Sequence, residues 1–188
     1  MKLKSGIVFF LFLLCAAGTV YAGRDKAPVQ SDAAWDYYLK VQKQTQVAFH
    51  HLVRLHLHNL KDTVQQSLDL QLATADQNSE RYYFLLSRDP SRIVRDKGFS
   101  AFVNFPWTPE DEALIAAEDK TFQKRQKQID KLKKKLEGNP DYKKIQDKLA
   151  ALSGGIEYQK IQSRFRYVPR DVETLLAGGS LPDADSSF

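Results

Sequence analysis

The fold of this chain is decided by residues 108–152, which read TPEDEALIAAEDKTFQKRQKQIDKLKKKLEGNPDYKKIQDKLAAL. Thr108 and Pro109 are typical of a helix start. A threonine hydroxyl accepts a hydrogen bond from a free N–H of the first turn, and proline at the first helical position gives up no donor that the helix needs. Asp111, three residues after Thr108, approximates a capping box. The stretch therefore opens with a well-marked helix.

A turn divides the stretch in two. Gly138 and Asn139 are typical of a helix end, and Pro140 can occupy the first position of a following helix. Together they predict an antiparallel helical hairpin over about 109–153, with a long first helix and a shorter second one. Two helices alone bury too little apolar surface, so a third element is expected to cover the seam between them.

Apolar side chains recur at helical spacing along one face of each arm of the hairpin. In the first arm they are Ile115, Phe122, Ile129, Leu132 and Leu136, and in the second they are Tyr142, Ile145, Leu149 and Leu152. Glu118 and Arg125 interrupt the first stripe, so they either pair across the seam or mark a notch that faces a partner. The opposite side of the first arm, here called the lysine face, carries Lys120, Lys124, Lys127, Lys131, Lys134 and Lys135.

A second helical pattern precedes the hairpin. Ser31 or Asp32 can cap a helix that runs to about Ala73, with a bend or a break allowed within it. Its apolar face consists of Trp35, Tyr38, Leu39, Phe49, Val53, Leu57, Leu60, Val64 and Leu68. Residues 54–58 alternate between polar and apolar as a strand does, but no turn signals flank them, so a helix is favoured.

Shorter elements complete the predicted fold. They are a turn-like segment at 73–79, a brief helix from Asp89 to about Gly98, and helices over 156–165 and 169–176 after the hairpin. The chain is therefore predicted to be an all-α helical bundle, built around the long N-terminal helix and the hairpin. A single domain is expected over 31–177, between a flexible leader at 23–30 and a flexible tail at 178–188.

The first 22 residues are typical of a secretory signal peptide. Lys2 and Lys4 give a charged start, residues 7–14 an apolar core, and residues 20–22 a small-residue cleavage site. The apolar run is too short for a comfortable membrane span. Because Cys15 lacks the small preceding residue of a lipoprotein signal, simple secretion is the stronger interpretation. The protein is expected to be periplasmic or secreted, with cleavage after Ala22.

Positive charge is concentrated in the hairpin. The chain carries 28 basic and 23 acidic residues, a net charge of +5, and a single cysteine, Cys15. Residues 120–148 hold 11 basic and 4 acidic residues, a net charge of +7, so the rest of the chain is net negative. Removal of the signal peptide would leave no thiol, so no disulfide, thiolate nucleophile or thiolate metal site is expected.

The sequence carries no catalytic signature. The pair at 154–155 and the pair at 178–179 are glycines typical of helix ends, and they lack the flanking pattern of a phosphate-binding loop. Ser153 is not in a nucleophile-elbow motif. Acidic residues lie mostly in the first turns of helices, where the helix dipole accounts for them. We expect no enzymatic activity and no cofactor.

Two surfaces are candidates for partner binding. The lysine face is either solvated or a docking strip for an anionic partner such as lipid head groups, lipopolysaccharide or an acidic protein. Nucleic acid is disfavoured, because no aromatic residues interleave with the lysines to stack on bases. Residues 99–107, here called the aromatic segment, either cover the helix ends or form an exposed lip. Its aromatic residues are Phe99, Phe102, Phe105 and Trp107.

All four histidines lie within nine residues, at 50, 51, 56 and 58, which suggests a metal or haem carrier. On a helix, His56 falls on the apolar face and His50 at its edge. His51 and His58 lie on the opposite side, two turns apart, so a shared metal ion is disfavoured and no metal ligand is assigned. In a strand, His56 and His58 would point the same way and the metal hypothesis would strengthen.

These patterns favour a secreted or periplasmic helical interaction protein. It would be an adaptor, a chaperone or a component of a cell-envelope or secretion assembly, acting through the hairpin and the aromatic segment. Its partners would be proteins of the envelope, with an anionic membrane surface as a further candidate and with no nucleic acid; an oligomer is compatible with the pattern. The alternatives are a metal or haem carrier using residues 50–58 and an inhibitor or immunity protein for a secreted enzyme.

The predicted signal peptide can be tested by mass. If cleavage follows Ala22, the exported protein begins at Gly23 and is lighter than the 21.5 kDa of the full chain. Because cleavage would remove the only cysteine, a reductant should leave its thermal unfolding unchanged. Intact-mass spectrometry and N-terminal sequencing check the first expectation, and unfolding with and without dithiothreitol checks the second. Recovery of the full 21.5 kDa chain from the periplasm or medium would contradict the prediction.

Overall fold

The computed structural model describes residues 31–181, which form eight α-helices, two single turns of 3-10 helix and no strand. The α-helices are α1 (Ala33–His56), α2 (Lys61–Arg88), α3 (Gly98–Val103), α4 (Pro109–Glu118), α5 (Lys120–Glu137), α6 (Pro140–Leu152), α7 (Ile156–Arg166) and α8 (Val168–Leu176). The 3-10 turns are His58–Leu60 and Pro90–Arg92. The prediction of an all-α fold is confirmed. The predicted signal peptide (1–22), the leader (23–30) and residues 182–188 of the tail lie outside the described residues.

Helix α2 is the centre of the bundle. It lies antiparallel to α1, because His50 contacts Ser67 near one end of the pair and Trp35 stacks on Tyr82 near the other. Another face of α2 packs along α5, while α6 contacts both α1 and α2. Helices α7 and α8 pack against α1. The third element that the hairpin needs is therefore α2.

The long N-terminal helix is divided at Leu57, whose backbone (φ −125°, ψ 61°) is not helical. The chain reverses there through the 3-10 turn. In one straight helix Val53 and Val64 would lie about 16 Å apart along the axis. After the reversal, both belong to one buried cluster with Ile145, and Leu57 packs against it. The strand alternative for residues 54–58 is wrong, since α1 continues to His56.

Residues 73–79, predicted to be turn-like, are the middle of α2. Their polar composition lowers intrinsic helix propensity, but packing outweighs it. Ala73 and Ala75 are buried, as is Gln77. The Thr74 hydroxyl donates to the carbonyl oxygen of Leu70 one turn earlier (2.8 Å), so it satisfies itself within the helix. The segment is thus a small-residue face that lets other helices approach α2.

The hairpin is present, with a break in its first arm. Thr108 and Asp111 form the expected capping box of α4. The helix then stops at Asp119, whose side chain accepts hydrogen bonds from the backbone of Thr121 (2.7 Å) and Phe122 (3.3 Å) and so caps α5. An aspartate in this capping position competes with helix continuation. The arms α5 and α6 contact each other less than α5 contacts α2.

Three buried clusters hold the helices together. The largest contains aromatic residues of α1, α2 and α3 with Val168 and Val172 of α8. The second joins Leu70 and Ala73 of α2 to Ile129 and Leu136 of α5, and the third is the cluster beside Leu57. The predicted stripe of α4 and α5 is confirmed, because Ile115, Phe122, Ile129 and Leu136 are all buried. Ile156, the first residue of α7, is exposed.

The third cluster can be tested with a matched pair of isoleucines. Ile145 is 1% exposed and Ile156 is 69% exposed. Ile145→Ala should lower the free energy of unfolding by about 2–5 kcal/mol, because it opens a cavity between α6 and the α1–α2 turn. Ile156→Ala should change it by less than about 0.5 kcal/mol. Urea denaturation followed by circular dichroism measures both, and equal losses in the two variants would contradict this packing.

Candidate docking surface on helix α5

Arginines on α2, on α5 and between them serve to hold the fold together. Each of five pairs with an acid on another segment: Arg81 with Glu112, Arg88 with Glu118, Arg92 with Asp111, Arg95 with Asp32, and Arg125 with Glu80. Arg81 and Arg92 make two hydrogen bonds each to their carboxylates. A planar guanidinium suits this paired geometry. These positive charges are therefore committed to internal contacts.

Asp111 shows how strongly one of these pairs is coupled to the fold. Burial by itself would raise the pKa of the Asp111 carboxyl. The hydrogen bonds from Arg92 and from Thr108 outweigh that effect and hold this pKa below its ordinary value. The carboxylate thus stays charged while it joins the segment before α3 to the first turn of α4.

The two residues that interrupt the apolar stripe both pair with α2. Arg125 donates from Nε to Glu80 (2.9 Å) and from Nη1 to Asp76 (3.1 Å). Glu118, the last residue of α4, accepts a hydrogen bond from Arg88, the last residue of α2. Asp76 also accepts from Lys43, so one carboxylate connects α1, α2 and α5. The stripe therefore contains cross-links rather than a notch that faces a partner.

The lysine face behaves differently from these arginines. All six of its lysines are exposed, and within residues 31–181 none of them forms an ion pair. At 3.6 residues per turn they occupy a sector about 100° wide and a length of about 22 Å. The acids of α5, Asp130 and Glu137, lie outside this sector at helical spacing. The surface is thus a narrow row of six positive charges.

Three lysines on the next two helices have acidic partners. Lys143 contacts Asp147 (2.8 Å) and Lys144 contacts Asp141 (2.6 Å) on α6. On α7, Lys160 contacts Glu157 at 3.1 Å. Such neighbours at three or four residues are the usual way for a helix to balance its surface charge. On α5, Asp130 lies three residues after Lys127 and four before Lys134, yet no lysine of the lysine face forms an ion pair with an acid among residues 31–181.

The aromatic segment forms part of the core. Phe102 is fully buried in the largest cluster, and Phe99, Phe105 and Trp107 are half-buried against it. Residues 98–103 are the helix α3, and the Trp107 indole N–H donates to Glu112 at 2.7 Å. The exposed-lip interpretation is therefore wrong for Phe102, whose ring a partner could not reach. The four aromatics line the inside of the bundle because they cover the ends of α1 and α2.

The histidines are separated by the end of α1. His50 is buried, with Nδ1 at 2.8 Å from the Gln46 carbonyl oxygen and Nε2 at 3.0 Å from the Ser67 hydroxyl. The other three are exposed, including His56, which the helical pattern placed on the apolar face. The apolar face of α1 does not extend to His56, because the chain turns at Leu57. Within residues 31–181, no three or more His, Cys, Asp or Glu side chains are grouped as a metal site.

An exposed apolar groove on α1 is the surface that sequence reasoning missed. It is lined by Val47, Ala48 and His51 with Leu72 of α2, and by Lys43 and Gln44. Val47 is about half exposed. A signal for this groove exists in the sequence, since Val47 and His51 lie four residues apart and off the predicted apolar face. It is shallow and open to solvent.

Comparisons with protein families, with curated proteins and with solved structures found no match to the chain. None of the helices between residues 31 and 181 has the length together with the apolar character that crossing a bilayer requires.

The buried imidazole gives a pH-dependent prediction. A carbonyl only accepts, so Nδ1 of the neutral ring donates to Gln46 and Nε2 accepts from Ser67. Burial lowers the pKa of His50 below its ordinary value of 6.5, although the Gln46 carbonyl acts in the opposite direction. Between the lowered pKa and 6.5, the unfolded chain binds more protons, so stability falls as the pH falls through that window.

The His50→Gln variant should flatten this acid-side decline, by at most about 1.4 kcal/mol per pH unit. At pH 7 it should itself be less stable by about 1–2 kcal/mol, through the altered hydrogen bonds. His51→Gln, which removes the exposed neighbouring imidazole, is the control and should keep the wild-type slope. Urea unfolding at several pH values between 7 and 5 provides the measurement. An identical slope in all three proteins would show that His50 is not buried in neutral form.

Proposed function

We propose that the protein is a secreted or periplasmic interaction protein without enzymatic activity. It acts as an adaptor, a chaperone or a component of a cell-envelope or secretion assembly, and it binds an anionic partner through the lysine face of α5. The observation that carries this proposal is the row of six exposed lysines without acidic partners among the described residues. The hairpin supplies the docking surface, and the aromatic segment supplies its scaffold.

The arrangement of the lysines costs stability. Lys120 and Lys124, Lys127 and Lys131, and Lys131 and Lys135 are three pairs at four-residue spacing. Like charges at this spacing destabilise a helix by about 0.2–0.5 kcal/mol per pair. The helix dipole favours Lys134 and Lys135 in the last turn of α5, so the repulsion falls mainly on the earlier lysines. An anion bound along the row would relieve that repulsion.

The face is presented on a rigid support. Phe122, Ile129 and Leu136 on the other side of α5 are each at most 1% exposed. Arg125 fastens the same helix to α2 through Glu80 and Asp76. A surface that is already ordered loses little conformational entropy when it binds. The fold thus supports α5 as a preformed docking element.

The groups with shifted pKa values also support a role without catalysis. Burial, and then the hydrogen bond to Asp171, raise the pKa of Tyr37 to about 12. Burial and then the hydrogen bond to Asp32 raise the pKa of Tyr82. Both phenols use their O–H groups in contacts between segments distant in sequence, at 134 and 50 residues. These shifted groups serve the fold, so the proposal assigns them no reaction.

A crosslinking pull-down from a cell-envelope fraction tests the proposal. The strip variant carries Lys120→Gln, Lys124→Gln, Lys127→Gln and Lys131→Gln. The matched control variant removes the same charge from exposed lysines elsewhere: Lys40→Gln, Lys61→Gln, Lys97→Gln and Lys160→Gln. The strip variant should lose the specific partner at least about tenfold, since each lost charge contact to an anionic surface is worth about 1 kcal/mol. The control variant should retain it.

Both variants must fold for this comparison to count. Glutamine has nearly the helix propensity of lysine, and the strip variant relieves repulsion, so its thermal midpoint should equal or slightly exceed that of the wild type. Identical partner lists for the wild type and the strip variant would show that the lysine face docks no protein of the envelope. Capture of a secreted enzyme would instead indicate an inhibitor or immunity protein.

A further inference from the structure

We infer that the anionic partner of the lysine face is the surface of a lipid bilayer rich in anionic phospholipids, and that α5 lies flat on it without inserting. The inference rests on the proposed function, because it names the partner of the same docking surface. Three features of α5 lead to it: the kind of basic residue, the shape of the charged row, and the occupancy of its apolar side.

The kind of residue disfavours a protein partner. Stable protein interfaces are enriched in arginine, tyrosine and tryptophan and depleted of lysine, because planar or aromatic anchors supply most of the binding energy. The exposed residues of this kind lie elsewhere, for example Arg164, Arg166 and Tyr167, and none lies on the lysine face. Arg125, the one arginine of α5, is paired with α2, and the aromatic segment is packed against the core. The lysine face offers no anchor that an acidic protein would bind in a defined pose.

Lipid phosphates in a fluid bilayer can be bound without an anchor residue in a defined pose. Lysine is a hydrated point charge on a flexible stem, so it needs no fixed bidentate geometry. Near an anionic bilayer each lysine raises the affinity by a factor of roughly five. Contributions multiply only if all of the charges reach the plane together. The six lysines satisfy this condition, because they lie within about 100° of one another around a straight helix.

The apolar side of α5 excludes insertion. A helix that lies in the interface of a bilayer places its own apolar face among the acyl chains. In α5 that face packs against Leu70 and Ala73 of α2 and is closed to lipid. Contact with the bilayer must then be electrostatic and peripheral. High salt should therefore reverse the binding, and any anionic head group should support it.

Vesicle co-sedimentation tests the inference on the wild type, the strip variant and the control variant. Each protein is purified as secreting cells process it, with its intact mass recorded so that all three share one N-terminus. The vesicles contain phosphatidylglycerol with phosphatidylcholine, or phosphatidylcholine alone as the measure of any binding that charge does not drive. Wild-type and control proteins should bind the anionic vesicles, and the strip variant should bind them at least about 100-fold more weakly.

Salt and fluorescence report the mode of contact. Raising NaCl from 0.1 M to 1 M shortens the screening length from about 10 Å to about 3 Å and should release the wild type. Emission from Trp35, which is buried, and from Trp107, which is half-buried against the same cluster, should not change on binding. A blue shift, or binding that persists at high salt, would overturn the flat electrostatic mode.

The outcomes also separate this inference from the proposed function. Equal binding by the strip variant and the control variant, or wild-type binding no stronger than to phosphatidylcholine, overturns the bilayer as partner. If the strip variant still loses a protein in the envelope pull-down, the docking function stands and its partner is an acidic protein. If it loses nothing in either experiment, both the docking function and the bilayer contact are wrong.

Discussion

The bundle depends on one aromatic stack between its first two helices. The rings of Trp35 and Tyr82 lie 4.1 Å apart between centroids and within 3° of parallel. Phe102 and Phe105 meet both rings edge-on, so the stack also fixes α3 and the chain that follows it. Such contacts add about 0.5–1.5 kcal/mol each to the burial of the rings. No described residue supplies a thiol, so packing of this kind bears the stability of the bundle.

A buried carboxylate completes that end of the molecule. Asp32 caps α1 by accepting from the backbone of Ala34 and Trp35, at 3.1 and 3.2 Å. It also accepts from the Tyr82 hydroxyl and from Arg95. A single acid thereby joins the start of α1, the end of α2 and the segment before α3. With its remaining oxygen satisfied by a cation, the carboxylate avoids the cost of an unpaired buried charge.

Local signals in the sequence predicted much of this architecture, and tertiary packing decided the rest. The Thr108 cap and the seven-residue spacing from Ile115 to Leu136 are properties of one helix, so they could be recognised without a partner. The reversal at Leu57 could not, because no glycine or proline marks it. It exists because it brings Val53 and Val64 together. A contact that forms only after the chain reverses cannot be predicted from the local sequence pattern.

The residues of the candidate site were predictable from the sequence only where their surroundings did not depend on tertiary packing. The lysine face was visible because charge at helical spacing remains on the surface whatever the helix packs against. The burial of Phe102 and the exchange of His50 and His56 between core and surface depended on α3 and on the end of α1. Five arginines pair with acids on other segments and tie helices together, while the α5 lysines face solvent. Which basic residues pair with acids depends on the folded structure and could not be read from the sequence.

The contact of α1 with α8 determines when the fold can be completed. Val168 and Val172 are among the last described residues of the chain, yet they are fully buried in the same cluster as Trp35, among the first. Tyr37 bonds to Asp171 across 134 residues. Ribosomal synthesis proceeds from the N-terminus, so the apolar face of α1 stays partly uncovered until α8 has emerged. Until α8 is available the largest cluster cannot close, so the apolar side chains of α1 remain exposed to water and to other chains for that time.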